Sequence, residues 1–442
     1  MEKYKIYESL PFFLQNLACT AKGLSIKRKR QNSSFYSHLL FYEKSFKFSN
    51  ESIINYQKKQ LFRLLNEAKK SDYWKRKFEK YELNINSEIN VFEELKKLPL
   101  LSKEDVFYNR EEILTTNIKK LNQVKTGGTT GKGLTFWETD EALNKQWAIW
   151  WRYRRGLGID LNTWCGWFGG KEVVPPNPKE KKFYRVNYFG KQIMFSQVHL
   201  STKNVKIYYE VIKDKQLSWL HGYPSQLALL AALILESNLK PIPSLKIITI
   251  GAEGITKEQK NIIEKAFKIK VYQHYGLSEK VANISENLKG ELIPDNDFAF
   301  IEYIHIEDDK YKLIGTNFSN IAFPLIRYDT GDIVKLNEQG QITEIEGREA
   351  DYITLPNGNR FGPMNLLFKV LSNVIEAQLY IKSEREYVFR IVRGANYVSD
   401  IEETKILKEV DKRITDKSIS LSFEYLDKLP RTKSGKLKSI AK

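Results

Sequence analysis

The stretch Leu245–Gly276, LKIITIGAEGITKEQKNIIEKAFKIKVYQHYG, predicts a strand, a helix and a second strand in that order. Its first six residues are a short apolar, β-branched run, and the GAEG that follows has the glycines of a turn. Thr256 and Gln259 have the spacing of a capping box, which begins a helix. Lys270–His274 is the returning strand. Such a unit implies a parallel pair of strands with a right-handed crossover, so we predict an α/β fold.

The chain on either side of this unit divides into a larger and a smaller part. Before it, Leu61, Leu64 and Leu65 repeat at helical spacing, and this half is predicted to be mostly helical. After it, the segments 298–306 and 311–315 predict a β-hairpin.

Beyond about residue 350 the pattern becomes that of a small α+β domain. Two short strands are predicted at 375–381 and 388–392, followed by a helix over about 400–415 and a strand over about 418–425. We therefore predict a large domain with parallel-sheet βαβ units over 1–349, which includes a helical extension over 1–50. A small, mobile C-terminal domain is predicted over 350–442.

Composition restricts the function classes. The chain has 442 residues, of which 42% are hydrophobic, and only two cysteines, Cys19 and Cys165. A disulfide framework and a Cys-rich zinc site are thereby excluded. The longest strictly apolar run, Leu227–Leu235, is far shorter than the roughly 18 residues of a membrane span. With no signal-peptide pattern at the N-terminus, we expect a cytoplasmic protein. The net charge of +17 predicts attraction to polyanions such as nucleotides, anionic lipid, nucleic acid or acidic glycans.

One glycine-rich segment has the composition of a phosphate-binding loop. Glycines interleaved with hydroxyl residues let backbone N–H groups approach phosphate oxygens, and a lysine adds a point charge. It is not a Walker A loop, because Gly133 stands where that motif has its Mg²⁺-binding hydroxyl. Taken alone, a flexible hairpin loop is an equal alternative. The candidate residues are Thr126, Gly127, Gly128, Thr129, Thr130, Gly131 and Lys132.

Four further segments make the pattern specific by their order and spacing. They are His274–Glu279, Arg327–Asp332, Glu346–Arg348 with Asp351, and Pro430–Lys436. With the glycine-rich loop they resemble the adenylate-forming superfamily of acyl-CoA synthetases, nonribosomal adenylation domains and luciferases. Within it the chain looks like the phenylacetate–CoA ligase family, and more narrowly like the branch associated with capsular polysaccharide biosynthesis. The narrower match is carried by Gly222–Leu227, Gly251–Glu253, Tyr275–Lys280 and Asn320–Asp332.

The resemblance implies an ATP site. The loop Thr126–Lys132 is expected to hold the β- and γ-phosphates, Tyr275 to lie against the adenine, and Asp332 to accept hydrogen bonds from the ribose hydroxyls. Arg348 is expected at the ribose–phosphate end. Three more positions of the matching motifs are assigned to nucleotide binding, namely Ala252, Glu253 and Gly276.

The resemblance also implies catalytic groups. Ser278 is expected near the α-phosphate, Glu279 is expected to bind Mg²⁺, and Lys436 is expected to reach the site during adenylation. The implied activity is activation of a carboxylic acid by ATP as an acyl-adenylate, followed by transfer to a thiol such as CoA. Two alternatives stay open: transfer to an amine or hydroxyl in polysaccharide biosynthesis, and a non-catalytic polyanion-binding relative.

The sequence departs from the family pattern in three places. Ala350 stands at the usual acidic hinge position, and the acid follows at Asp351. The segment 337–343 lacks the cysteines that many relatives carry, so no zinc is expected. No acid lies in His221–Pro224, where amino-acid-activating relatives often have one, which disfavours an amino-acid substrate.

The remaining features have two interpretations each. Trp147, Trp150 and Trp151 fit one helical face and favour core packing, whereas Trp167–Gly170 is a candidate wall of the acyl pocket. The basic run Lys27–Arg30 predicts a solvated surface or, alternatively, peripheral association with an anionic membrane. The expected partners are a small carboxylic acid and CoA or a glycan acceptor, without nucleic acid, and the oligomeric state stays open.

Overall fold

The computed structural model describes residues 2–126, 134–170, 173–348, 353–356, 360–361, 374–394, 397–413, 418–431 and 437–441. The chain folds into two compact units. The first unit comprises residues 1–24, 162–273 and 347–442, and the second comprises 25–161 and 274–346. Of the described helices, none is both long and apolar enough to cross a membrane.

Helices dominate the first 160 residues, as the leucine spacing predicts. The α-helices are α1 Glu2–Ser9, α2 Phe12–Arg30, α3 Ser33–Ser45, α4 Asn50–Ala68, α5 Asp72–Lys80, α6 Val91–Lys97, α7 Lys103–Asn109, α8 Asp140–Gly156, α9 Val205–Asp214, α10 Pro224–Glu236, α11 Lys257–Phe267 and α12 Ser399–Arg413.

Strands follow mainly after residue 120. They are β1 Asn122–Lys125, β2 Thr135–Glu138, β3 Cys165–Phe168, β4 Tyr184–Asn187, β5 Gln192–Phe195, β6 Trp219–Gly222, β7 Ile247–Gly251, β8 Val271–Gly276, β9 Asn283–Glu286, β10 Leu292–Pro294, β11 Ala299–Glu307, β12 Lys310–Asn317, β13 Tyr328–Leu336, β14 Ile342–Arg348, β15 Ile353–Thr354, β16 Arg360–Phe361, β17 Val374–Ser383, β18 Glu386–Arg393, β19 Ser420–Tyr425 and β20 Ile440–Ala441.

The first unit contains the parallel sheet that the sequence predicts. Its strands lie in the order β7-β6-β3-β5-β4. The pairs β6–β7, β3–β6 and β3–β5 are parallel, and only β4 is antiparallel to its neighbour. The apolar helix α10 connects β6 to β7 and packs with α9 and α11 against the sheet in one core. The α/β class is thus confirmed.

The predicted strand–helix–strand stretch is present as β7, α11 and the start of β8. Thr256 caps α11: its hydroxyl accepts the backbone N–H of Gln259, and the Gln259 side chain accepts the N–H of Thr256. The predicted capping box is therefore confirmed.

The C-terminal residues of the first unit form a small α+β layer. The sheet order is β19-β18-β17-β20, with β17 and β18 antiparallel and both outer strands parallel to their neighbours. Helix α12 packs on it through Ile406 and Val410. The predicted strands and helix of this part are confirmed within two or three residues, whereas the domain boundary near residue 350 stays a prediction.

The second unit is an antiparallel sheet packed against helices. Its strands lie in the order β11-β12-β13-β14-β10-β9-β8, and β11 and β12 form the predicted hairpin. Leu61, Leu64 and Leu65 of α4 are fully buried in its core. Apart from this hairpin, the antiparallel pairing was not predicted, because it is set by packing between residues that lie far apart in the sequence.

A buried ion-pair network joins α8 to the segment before β11. Arg152 of α8 donates from Nη1 to Oδ2 of Asp297 at 2.6 Å and is also paired with Asp295. Ser45, the last residue of α3, donates to the same Asp297 oxygen at 2.5 Å. The three charged side chains are 7% exposed or less.

We expect Arg152→Met to lower the free energy of unfolding by about 3–5 kcal/mol, because two buried carboxylates lose their cation. Chemical denaturation measures the loss. The matched control is Arg155→Gln on the same helix, whose ion pair with Glu43 is partly exposed and is worth about 0–1 kcal/mol. Equal losses in the two variants would contradict the structural role of Arg152.

Candidate active site

Two of the motifs singled out in the sequence meet in the second unit. Tyr275 and Gly276 end β8, and Asp332 lies in β13. The Tyr275 hydroxyl donates to Oδ2 of Asp332 at 2.6 Å, although 57 residues separate the two along the chain. The predicted adenine-side and ribose-side residues are therefore in direct contact.

The backbone before Asp332 holds its carboxylate in place. The Thr330 hydroxyl accepts the backbone N–H of Asp332 at 3.0 Å and donates to the carbonyl of Leu313 at 2.7 Å. Gly331 has φ = +70°, a conformation that glycine adopts without the steric cost of a side chain. The Thr-Gly-Asp triplet thus forms a tight turn that fixes Asp332, which is only 5% exposed.

The turn after β8 carries the predicted catalytic pair. Ser278 is exposed and Glu279 is half-buried. The next residue, Lys280, is 1% exposed and forms an ion pair with Glu138 of β2. Its ammonium also donates to the carbonyl of Ser278 at 3.0 Å, so a buried cation pins the turn. The sequence did not single out this Lys280–Glu138 pair.

Metal binding at this turn depends on few protein ligands. Among the described residues no group of three or more His, Cys, Asp or Glu side chains is arranged to hold a metal ion. Mg²⁺ commonly takes one or two carboxylates together with phosphate oxygens and water. The Glu279 carboxylate fits a site of that kind, completed by the phosphates of a nucleotide.

Part of the Asn320–Asp332 motif serves the fold. Arg327 has φ = +52° and forms an ion pair with Glu302 of β11 at 3.0 Å. Asn320 donates from Nδ2 to the carbonyl of Trp137 at 2.9 Å and is 1% exposed. These two residues connect strands and loops, so their polar groups serve the fold. Asp332 is the residue of this motif that we consider for ligand binding.

Two of the predicted residues, Ala252 and Glu253, lie in the first unit. Ala252 has φ = +66°, a strained conformation for a residue with a side chain. The Glu253 carboxylate accepts the backbone N–H of Ser225 at 3.3 Å and that of Leu437 at 3.1 Å. Burial raises the pKa of Glu253, against the lowering effect of these bonds and of Arg431. Glu253 thus holds the residue that directly follows the predicted catalytic lysine.

A second anchor holds the other end of the same segment. Arg431 donates from Nη1 to the Ser225 hydroxyl at 2.9 Å and is paired with the buried Glu376 of β17. Arg431 and Leu437 also form an antiparallel bridge with each other. Both ends of the segment that carries Lys436 are therefore fixed. The sequence signal for this anchor is the arginine of the Pro-Arg-Thr triplet, to which the motif by itself assigns no role.

Several predicted site residues lie outside the described part of the chain. They are Gly127 to Gly133, Ala350, Asp351 and Lys436, and the side chain of Arg348 is likewise not described. Thr126 is described, and it closes the base of the loop. Its N–H donates to the carbonyl of Leu134, and its hydroxyl accepts the N–H of Leu134, both at 2.9 Å.

The predicted acyl-pocket wall lies on the parallel sheet. The Trp167 ring packs against His221 with 4.8 Å between ring centroids. His221 is hydrogen-bonded through Nδ1 to the Thr249 hydroxyl at 2.8 Å, and Trp219 donates to the same oxygen at 2.8 Å. Trp167 and His221 lie in the C-terminal halves of β3 and β6, the side of a parallel sheet on which ligands often bind.

The tryptophans of α8 differ in burial. Trp151 is buried, as core packing predicts, whereas Trp147 and Trp150 are half-buried. Trp150 donates from Nε1 to Oδ1 of Asn283 at 3.0 Å. The same face of α8 packs against His274, which lies one residue before Tyr275. Of the three tryptophans, Trp150 therefore lines the end of β8 as well as the core.

One family model and two known proteins are similar in sequence to this chain. The family model described as CapK C-terminal domain matches residues 356–442. Protein CapK of Staphylococcus aureus is 27% identical over 98% of this chain and 97% of its own length. Phenylacetate-coenzyme A ligase of Pseudomonas putida is 22% identical over 66% of this chain and 71% of its length.

A solved structure shows the same fold. It is 2-hydroxyisobutyryl-CoA ligase in the postadenylation state in complex with 2-HIB-AMP, with a TM-score of 0.63 and 15% identity over 87% of this chain and 88% of that chain. The fold is thus that of an adenylate-forming CoA ligase. The predicted resemblance to the adenylate-forming superfamily, to phenylacetate–CoA ligases and to the capsule-associated branch is confirmed, and the similar ligases agree with the predicted enzyme class, an adenylate-forming ligase.

We expect His274 to make the fold sensitive to acid. Burial and the nearby Arg154 charge lower the pKa of His274 from 6.5 to about 3. Between these values the unfolded chain binds a proton that the folded chain does not, so stability falls as the pH falls. At pH 5 the loss from this residue is about 2 kcal/mol.

Denaturation of His274→Gln and wild type at pH 5 and pH 7.5 measures this loss. The variant should lose less stability on acidification than the wild type does. His305→Gln, which alters an exposed histidine, serves as the control and should behave like the wild type. An identical pH dependence in His274→Gln and wild type would show that His274 is not the titrating group.

Proposed function

We propose that this chain activates a carboxylic acid with ATP as an acyl-adenylate and then transfers the acyl group to a thiol such as CoA. The observation that best supports the proposal is the contact between the Tyr275 hydroxyl and the Asp332 carboxylate. It joins the two motifs that the resemblance assigns to adenosine, next to the turn with Ser278 and Glu279.

The Tyr275–Asp332 pair suits the nucleoside half of ATP. A carboxylate is an acceptor for two hydroxyl donors, which is what the neighbouring ribose hydroxyls offer. The bond from Tyr275 fixes the carboxylate and also fixes the tyrosine ring, whose face is then available to an adenine. The backbone hydrogen bonds before Asp332 already hold its side chain in place. ATP binding therefore costs little conformational entropy at this residue.

The chemical step is a displacement at the α-phosphorus. An oxygen of the substrate carboxylate forms a bond to the phosphorus, the bond to the β-phosphate oxygen breaks, and pyrophosphate leaves. Negative charge builds on the phosphoryl oxygens, and the Lys436 ammonium stabilises it electrostatically. Glu279 is the residue that would hold Mg²⁺, which supplies further charge stabilisation at the phosphates.

The acceptor is proposed to be CoA because the similar ligases act with coenzyme A by name. The alternative acceptor is an amine or hydroxyl of a polysaccharide precursor, supported by the full-length similarity to CapK. Peripheral association with an anionic membrane and a cytoplasmic location remain predictions of the sequence.

Pyrophosphate exchange into ATP tests the first half-reaction, with pools of carboxylic acids and no acceptor present. We expect exchange with the wild type. Asp332→Ala should weaken ATP binding by about 1.5–3 kcal/mol through the loss of a charged acceptor. Asp309→Ala changes an exposed aspartate of the second unit and should bind ATP normally. Absence of exchange with every pool, in wild-type protein that binds ATP, would contradict the proposal.

Separation of the two half-reactions tests Lys436. Lys436→Ala should slow pyrophosphate exchange about 100- to 1,000-fold, as does the loss of one preorganised donor. It should still consume a chemically supplied acyl-adenylate at close to the wild-type rate.

The anchor at Arg431 extends the same test. Arg431→Ala should slow exchange about 10- to 100-fold, because the segment that carries Lys436 loses one of its two attachments. The exposed Arg385 gives the control Arg385→Ala, which should exchange normally. Equal damage to both half-reactions in Lys436→Ala would refute a role confined to adenylation.

A further inference from the structure

The last residue of α2, Arg30, stacks on a tryptophan near the candidate active site. Its guanidinium carbon lies 4.1 Å from the centroid of the Trp147 ring. A second arginine, Arg154 of α8, lies 5.8 Å from the same ring and 5.0 Å from Trp151, and it is 7% exposed. The basic run of α2 therefore ends in a cation that is held against an aromatic face. A basic run that only solvates the surface would not need such a contact.

Arg30 has no anionic partner within the described parts of the chain. No carboxylate there lies within ion-pair distance of its guanidinium, and no acceptor takes a hydrogen bond from it. The nearest acid in electrostatic terms, Glu138, is paired with Lys280. Burial and the Arg154 charge lower the pKa of Arg30 to about 10, so it stays cationic at neutral pH. A half-buried guanidinium such as that of Arg30 is costly unless an anion joins it.

Aromatic rings connect this arginine to the end of β8. Trp147 contacts Trp150 with 4.9 Å between ring centroids. The indole nitrogen of Trp150 lies 3.1 Å from where a Cβ atom on Gly276 would be, so a side chain at Gly276 would crowd it. Next to it, the buried Nε2 of His274 has no hydrogen-bond partner among the described residues. Arg30 is thus two ring contacts away from the motif that carries Ser278 and Glu279.

Arg30 lies away from the Lys125–Thr135 end of the β1–β2 hairpin. Glu138 and Asn122 face each other at the opposite end of the hairpin. The strand β2 has four residues, so about 10 Å separates its first residue from its last. Arg30 is near that opposite end, because it interacts with Glu138 and because its neighbour Lys29 donates to Asn122 at 2.6 Å.

We propose that the carboxylic acid activated by this chain is a diacid, whose second carboxylate binds Arg30 against the Trp147 face while Arg154 adds positive charge. This inference rests on the proposed function and names its substrate class. The guanidinium offers two parallel N–H donors that match a carboxylate, and the ring contact holds the guanidinium in place for that bond.

Matched acids test the inference in the exchange assay without acceptor. The probes are the linear diacids from succinate to azelate and the monoamide of each, in which the second charge is removed at almost constant shape. For at least one chain length we expect kcat/KM to favour the diacid by about 100-fold, because a buried charged partner left unpaired is strongly rejected.

Variants of Arg30 locate the effect. Arg30→Gln should raise KM for the preferred diacid about 100-fold with little change in kcat, and it should leave the monoamide unchanged. Arg30→Lys should restore part of the preference. Lys29→Gln removes the adjacent, exposed cation and should behave like the wild type. Melting temperatures check that each variant is folded, and the wild-type comparison of diacid with monoamide needs no variant.

The outcomes are distinguishable. Exchange that favours monoamides or simple monoacids, or that ignores Arg30→Gln, overturns the diacid inference and leaves the proposed function intact. Normal exchange in Arg30→Gln with a slowed CoA step assigns the arginine to the acceptor and also overturns it. Absence of exchange with every acid contradicts the proposed function itself, and the inference falls with it.

Discussion

The second unit depends on one buried carboxylate, Asp295. It receives Arg152 from α8 and, at its other oxygen, the side chains of Asn283 and Ser285 from β9. Asn283 in turn accepts the indole N–H of Trp150. A single desolvated anion therefore sets the distance between α8 and the sheet, and with it the position of the rings beside the end of β8. Buried polar networks hold a unique geometry only when each member is satisfied, and here the helix supplies both the cation and the indole donor.

The sequence predicted the local elements well, because their signals are local. The capping box of α11, the β11–β12 hairpin and the strands of the C-terminal part follow from spacing and turn residues within a few positions. The family resemblance assigned Tyr275 and Asp332 to the two parts of an adenosine, but the contact between them was not predicted, since nothing in either segment alone points to the other. The antiparallel sheet of the second unit was missed because its pairing is set by long-range packing.

The charged residues show the same limit of prediction from the sequence. A net charge of +17 describes the whole chain and does not say which cations are solvated. Lys29 and Arg30 are neighbours in one basic run, yet Lys29 is half-exposed and Arg30 is stacked on a ring that lies 117 positions further along the sequence. Only the fold gives the two side chains different environments, since the environment of each depends on which residues of α8 lie beside it.

Glu253 shows how a motif residue can serve a purpose that the motif alone does not reveal. Its two oxygens accept backbone N–H groups from Ser225 and Leu437, and Arg431 contacts Ser225 from the other end of the Lys436 segment. Ser225 is thus shared by both anchors. Burial raises the pKa of Glu253, whereas these hydrogen bonds and the nearby guanidinium lower it. Loss of the contacts to Leu437 and Arg431 would leave a buried carboxyl group without these partners, so Glu253 and the two described ends of the segment stabilise each other.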